Sequence, residues 1–416
     1  MRRNILKLFS LYIIFLNSLF FASDFRIKSL RIYSANDQSS FPVIYFSDLN
    51  ESKIQIEFDL EGSYIPNLNI VFKLCDKNWM PYENAFLANI GKNTEYNLWI
   101  SRLPLRVKGA QYHYQGVFPN QNVSFPYSGK WKFFIVDPHN KNKIYGEGKF
   151  YVVYPEVKLS ASIEKLRSQY SNQELAILGR SIGISTSFIL PDSLYSFYVK
   201  GIEIVENYKI PHSIFIDREN QSQDKFFEWN GSNRFTFVIQ NLRPGNEYRQ
   251  IDLTDINFYN QQNVNAHYDG IETSNLFKQN FRDFNGGSYL VDYFDEYSEY
   301  MNVNFRIRTP ENVINPIFLV GSFNNWEVQP EYELFDDDGL LNLRIELKRG
   351  IYDYVYVTGE IVNDQIKNID WNILEGNFWE TKNEYNIFLY YASQEKGGYD
   401  KIIGYLKINS GEQWRN

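Results

Sequence analysis

From Phe25 onward the chain is written in short stretches that alternate apolar and polar residues, each closed by turn residues, at the intervals of a β-sandwich. Ile54, Ile56 and Phe58 alternate with Gln55 and Glu57, which is the pattern of a half-buried strand. Ile70, Phe72 and Leu74 make a second, and Trp131, Phe133 and Ile135 a third. The turn Asp137-Pro138-His139-Asn140 then sends the chain back through Gly148, Phe150, Val152 and Tyr154 to Pro155. Phe235, Phe237 and Ile239, then Val303, Phe305 and Ile307, repeat the period further on, followed by strands at 317–321, 340–347 and 352–357. Aromatic residues reach 18%, and alanine is scarce. Aromatic and β-branched side chains suit pleated, half-buried surfaces, and alanine-poor chains form few helices. The expectation is an all-β chain of tandem immunoglobulin-like or early-set β-sandwich domains.

The pattern divides the chain into an N-terminal sandwich at 24–155, a middle β-rich domain at 156–300 and a C-terminal early-set-like sandwich at 301–416. The middle part is the least regular. Polar stretches at 218–224 and 257–265 weaken its period, 164–170 is compatible with a short helix, and 241–252 reads as a turn and then a strand.

The first residues read as targeting. Arg2, Arg3 and Lys7 precede an apolar run at 8–22, shorter than the about 20 residues that span a bilayer. Residues 1–23 are therefore expected to be a cleaved signal peptide, cut after Ala22 or Ser23. No cysteine follows the run to carry a lipid anchor. The single cysteine, Cys75, excludes an intramolecular disulfide, so an exported fold must rely on its core. Lysine and arginine total 42 against 50 acids, for a net charge of −8. That balance argues against nucleic acid as a partner and against attraction to anionic lipid.

Little in the chain reads as chemistry. Gly179-Arg180-Ser181-Ile182-Gly183 fits the G-x-S-x-G elbow, which needs a strand before the serine and a helix after it. The β-branched run that follows reaches Pro191 too soon for a helix, so catalysis by Ser181 is a distant reading. His113, His139, His212 and His267 lack the spacing of a zinc site. The Asp336-Asp337-Asp338-Gly339 run lacks the alternation of a calcium loop and suits a hairpin turn. Cys75 sits in an alternating strand with no basic neighbour to lower its pKa, so a packed thiol is expected. Ser322-Phe323-Asn324-Asn325-Trp326 resembles a turn of the early-set sandwiches that accompany starch and glycogen enzymes. Trp326 is either a glucan-contacting aromatic or, as favoured here, a ring packed on its own sheet. No catalytic residue, cofactor, metal or small-molecule substrate is expected.

The segment at 375–405 is the most telling. Tyr385, Ile387, Leu389 and Tyr391 line one face of a strand, and Phe388 and Tyr390 make the other face apolar too. Such a strand must be covered on both sides or lie at an interface. Its wording resembles the C-terminal end of the type IX secretion system plug family, with Phe378, Glu380, Thr381, Asn383, Tyr385, Ile387, Tyr390 and Tyr391, then Tyr399, Asp400, Ile403, Gly404 and Tyr405. The likeness extends over the mature chain. Cys75-Asp76-Lys77-Asn78-Trp79 looks like the family's C-D-x-x-W block, and Tyr112-His113-Tyr114, Pro119-Asn120 and Ser128-Gly129 like its Y-x-H-Y…P-N…S-G run, with His113 one place early. Pro244-Gly245-Asn246-Glu247-Tyr248-Arg249 matches P-G-N-E-[FY]-R. Gly321, Asn325 and Trp326, then Leu347-Lys348-Arg349-Gly350 and 352–354, match G-x-x-x-N-W and L-K-x-G-x-Y-x-Y.

The resemblance implies a periplasmic protein, a monomer within a complex, held at the outer membrane through a partner. It would bind the β-barrel translocon of type IX secretion and close its periplasmic opening without catalysis. Phe378, Trp379, Tyr385, Phe388, Tyr390 and Tyr391 are the candidate interface; Cys75, Trp79 and Trp326 are structural. The alternative is an exported carbohydrate-binding protein that uses the Trp326 turn.

Overall fold

Three β-sandwiches follow from these patterns, but the chain enters them in an order that local sequence does not announce. The computed structural model describes residues 25–46, 52–167, 177–281, 283–311, 313–363 and 365–410, so the expected signal peptide lies outside the described residues. In the first sandwich one sheet has the order Phe25–Ser34, Ile54–Gly62, Tyr112–Phe118, Ser101–Arg102. The facing sheet runs Val43–Tyr45, Ile144–Val153, Gly129–Val136, Asn69–Cys75, Thr94–Glu95. Ile54, Ile56, Phe58 and Leu60 from one and Ile70, Phe72, Phe133 and Phe150 from the other fill the space between them.

The second sandwich joins Leu159–Arg167, Arg180–Ile189, Arg234–Leu242 and Lys225–Trp229 in one sheet. Its other sheet is Ile214–Asp217, Val199–Glu206, Glu384–Ser393 and Tyr399–Asn409. The last two strands of the protein therefore complete the second sandwich, with Ile204 opposite Ile387 and Ile202 opposite Leu389. The third sandwich is built from chain between 249 and 370 and is inserted in the second. Gly350–Val362 is its hub, pairing with Arg249–Asp252, Ser288–Leu290, Ile317–Gly321 and Gln365–Asp370. Tyr300–Arg308 and Leu340–Lys348 lead the opposite sheet.

Two expectations change here. The division at 300 and 301 does not follow the sheets, because strand partners in a sandwich are set by ladder and core complementarity rather than by nearness in the chain. Residues 159–167 form a strand rather than the start of a helix, since Leu159 to Arg167 pair residue by residue with Phe188 to Arg180. Among the described residues the helical elements are short 3-10 turns alone.

Candidate functional site

The motif residues gather at the three places where sandwiches meet. Between the first and second, the outer face of Glu384–Ser393 lies against the first domain. Phe388 stacks on Tyr151 with ring centres 4.1 Å apart and on Tyr405 at 5.0 Å. Phe41, Val153, Tyr390 and Ile402 complete that cluster, and Trp79 meets Tyr151 edge-on. Asp76 accepts hydrogen bonds from the Asn78 and Met80 amides, which shapes the turn that holds Trp79 at φ 66°. Within this apolar contact Glu203 is 1% exposed and meets Lys130 Nζ at 2.8 Å, while Tyr390 and Ser213 hydroxyls each donate to it at 2.6 Å. A buried pair of this kind holds only because its remaining valences are also satisfied. Asp400 accepts from the Lys77 amide and from Lys200 Nζ.

Between the first and third sandwiches the outer face of Ile54–Gly62 carries Glu57, Asp59 and Glu61. Three acids on one strand face would repel in water; here Arg31, Lys348, Arg26 and Lys28 answer them. Asp59 is the centre, with His113 Nδ1 at 2.7 Å, Lys348 Nζ at 2.8 Å and the Tyr300 hydroxyl at 2.9 Å. Although burial opposes ionisation, the His113 bond and the Lys348 charge hold the Asp59 carboxyl below its usual range. The His113 ring lies under Tyr293 at 4.0 Å.

The second and third sandwiches join where the chain crosses between them twice. Asn383 Nδ2 donates to the Pro244 carbonyl, and Asn207 Nδ2 donates to both Asn383 Oδ1 and the Tyr248 hydroxyl. Arg249 is pinned by Glu375 and Glu272, each at 2.9 Å. Asn246 Nδ2 donates to the Glu375 and Lys278 carbonyls. Close by, burial and the neighbouring Asp283 push the carboxyls of Glu247 and Asp353 up to about 7. Burial raises Asp283 as well.

The six residues expected to face a partner are instead turned inward. Tyr385 and Tyr391 belong to the core of the second sandwich, Trp379 packs against it, and Phe388 and Tyr390 are covered by the first domain. Phe378 is buried beside Arg180, and the Trp379 indole donates to the Ser181 carbonyl. The two-faced apolarity of this strand is thus satisfied within the molecule. Ser181 lies in the strand Arg180–Ile189, between antiparallel neighbours and with no helix behind it, which leaves no elbow. Trp326 is 1% exposed, donates to the Gly286 carbonyl at 2.8 Å and packs on Tyr248, so its ring offers no face to a glucan. Cys75 is buried. Lys130 and Lys132 do lie near it, contrary to expectation, yet burial outweighs them and pushes the thiol up to about 12. Asp336 and Asp337 end a short strand opposite Leu341 and Leu340, and Asp338 and Gly339, both at positive φ, make the expected hairpin turn. What the sequence reading passed over was the acidic stripe of Glu57, Asp59 and Glu61, whose like charges on one face were the signal of a basic partner.

Residues 27–154 match the family model described as "Type 9 secretion system plug protein 1st domain". That range is the first sandwich, and the match supports the type IX secretion plug family and a role connected with that machinery. Among solved structures, a hypothetical protein from Parabacteroides merdae ATCC 43184 is similar, with a TM-score of 0.74 over 92% of this chain and 97% of that chain. At 19% identity this shows a shared three-sandwich fold. No curated protein matches.

Proposed function

We propose that this chain, whose first sandwich matches a type 9 secretion system plug domain, is a periplasmic plug that binds the outer-membrane translocon barrel and closes its periplasmic opening. The match over 27–154 carries the reading. The construction of the molecule supports it: each pair of sandwiches is joined through buried ion pairs or hydrogen bonds, including Lys130–Glu203, Lys348–Asp59 and Asn207–Tyr248. A stopper works by volume and stiffness, and a body clamped at three junctions does not yield at one of them. Function is then steric, with no bond made or broken. Because 384–391 is spent on internal packing, the barrel would meet side chains elsewhere on the surface. Binding must also be reversible, since cargo has to pass. Deleting the protein should leave secretion of type IX cargo largely intact while making the outer membrane leaky to large solutes. Loss of secretion with unchanged permeability would refute the reading. Co-purification of the barrel with the tagged chain from detergent-solubilised outer membranes tests the partner.

A further inference from the structure

One end of the first sandwich combines exposed aromatic and basic side chains. The connections 62–68, 96–100 and 103–111 all emerge there. Gln111 Oε1 accepts from the Gly62 amide, and the Leu98 amide donates to the Leu68 carbonyl. The hairpin turn at 137–143 shares this end, because Asn69 pairs with Val136. Leu68 and Leu98 are buried and anchor the loops, yet Trp99 stands 87% exposed, Leu105 87%, Tyr96 56%, Ile65 52% and Tyr64 48%. A lone exposed apolar residue needs no explanation, but a group of them at one end marks a contact surface.

Around them Arg102, Lys108, Lys141 and Lys143 are exposed. The acids of this end are taken up locally: Glu61 by Arg26, Glu95 by the amides of Asn120 and Asn122, and Asp137 by its own turn. Arg106 pairs with Glu296 of the third sandwich and is left out of the set. The net charge of −8 therefore describes the whole chain and not this end.

We infer that this end of the first sandwich, led by Trp99 and Leu105, is a docking surface for a phospholipid bilayer. Lysine is depleted at protein interfaces, whereas Trp, Tyr and Leu ringed by Lys and Arg suit the boundary between acyl chains and headgroup phosphates. The apolar side chains stand on separate loop tips. Tips inserting independently suit a fluid surface better than the shaped surface of a folded partner. The lysine stems add apolar length while their ammonium groups reach phosphate. The inference is independent of the plug reading, because it needs no translocon.

The test uses the purified exported chain and vesicles of phosphatidylethanolamine with a minor share of phosphatidylglycerol. The chain should co-sediment with them, and its tryptophan emission should be quenched by brominated acyl chains. The Trp99→Ala, Leu105→Ala double variant should partition about tenfold more weakly or worse, as expected when inserted apolar area is removed. Trp99→Phe should keep the binding and lose most of the quenching. Both side chains are exposed, so unchanged near-ultraviolet circular dichroism checks that the variants are folded. Absence of co-sedimentation, equal partitioning of the double variant, or quenching that survives Trp99→Phe would each overturn the inference. So would vesicle indifference combined with loss of barrel co-purification in the double variant, which would assign the surface to a protein.

Discussion

Lys348 of the third sandwich sets its ammonium 2.8 Å from Asp59 Oδ2 of the first, with the two side chains 3% and 1% exposed. The contact ties the L-K-x-G turn to the acidic stripe of the first domain, and His113 and Tyr300 complete its shell. A charge at this depth is tolerable only while its partner is present.

Lys348→Met should therefore destabilise the protein by about 3–5 kcal/mol, the usual consequence of leaving a buried charge uncompensated. Pairing it with Asp59→Asn should recover a large part of that loss. Urea unfolding midpoints of the two single variants and the double variant measure the coupling. Simple additivity would show that the two side chains do not act as a pair.

The carboxyls of Glu247 and Asp353 give a pH dependence of opposite sign to that of Asp59. Their folded pKa values stand near 7, raised by burial and by Asp283, above the ordinary 4.5 and 3.8. Between the unfolded and folded values the native state holds more protons, so their contribution to stability falls as pH rises from about 4 to about 7 and then levels off. Asp59 and Glu57, held below their ordinary range, contribute fully at neutral pH and lose that contribution only as the medium becomes strongly acidic. The melting temperature should be higher at pH 5.5 than at 7.5, and Glu247→Gln should flatten the difference. Equal dependence in the variant would remove Glu247 from the account.

Truncation after residue 375 separates the two ways of dividing the chain. Removing 376–416 deletes Glu384–Ser393 and Tyr399–Asn409 from the second sandwich and uncovers Tyr151 and Phe41. The truncated chain should lose the second sandwich, bind hydrophobic dyes and be cut by protease within 180–242. Resistance throughout that region would show that the second sandwich stands without its last strands.

Trp326→Ala should destabilise by about 3–5 kcal/mol, as for other buried large aromatics. The indole closes a cluster with Tyr248 and Val355 and donates to the Gly286 carbonyl, so a folded variant with unchanged stability would contradict that packing role. Denaturant titration followed by far-ultraviolet circular dichroism measures the change.

Ile54, Ile56, Phe58 and the later alternating runs were enough to specify strands, because a period of two is a local property and one turn residue ends it. The same locality explains why Ser181 could be read as unsuited to an elbow and Cys75 as a packed thiol. The two apolar faces of 384–391 were also legible, and so was the need to cover both. What covered them was not. Whether Phe388 and Tyr390 meet another protein or Tyr151 of the same chain depends on how a strand more than two hundred residues away is oriented, which no local pattern encodes. The insertion of the third sandwich into the second has the same origin: ladder pairing and core shape choose strand partners without regard to their distance along the chain. Sequence alone determined the strands and which side chains must leave water; tertiary structure decided which of those buried faces became cores and which became the junctions between domains.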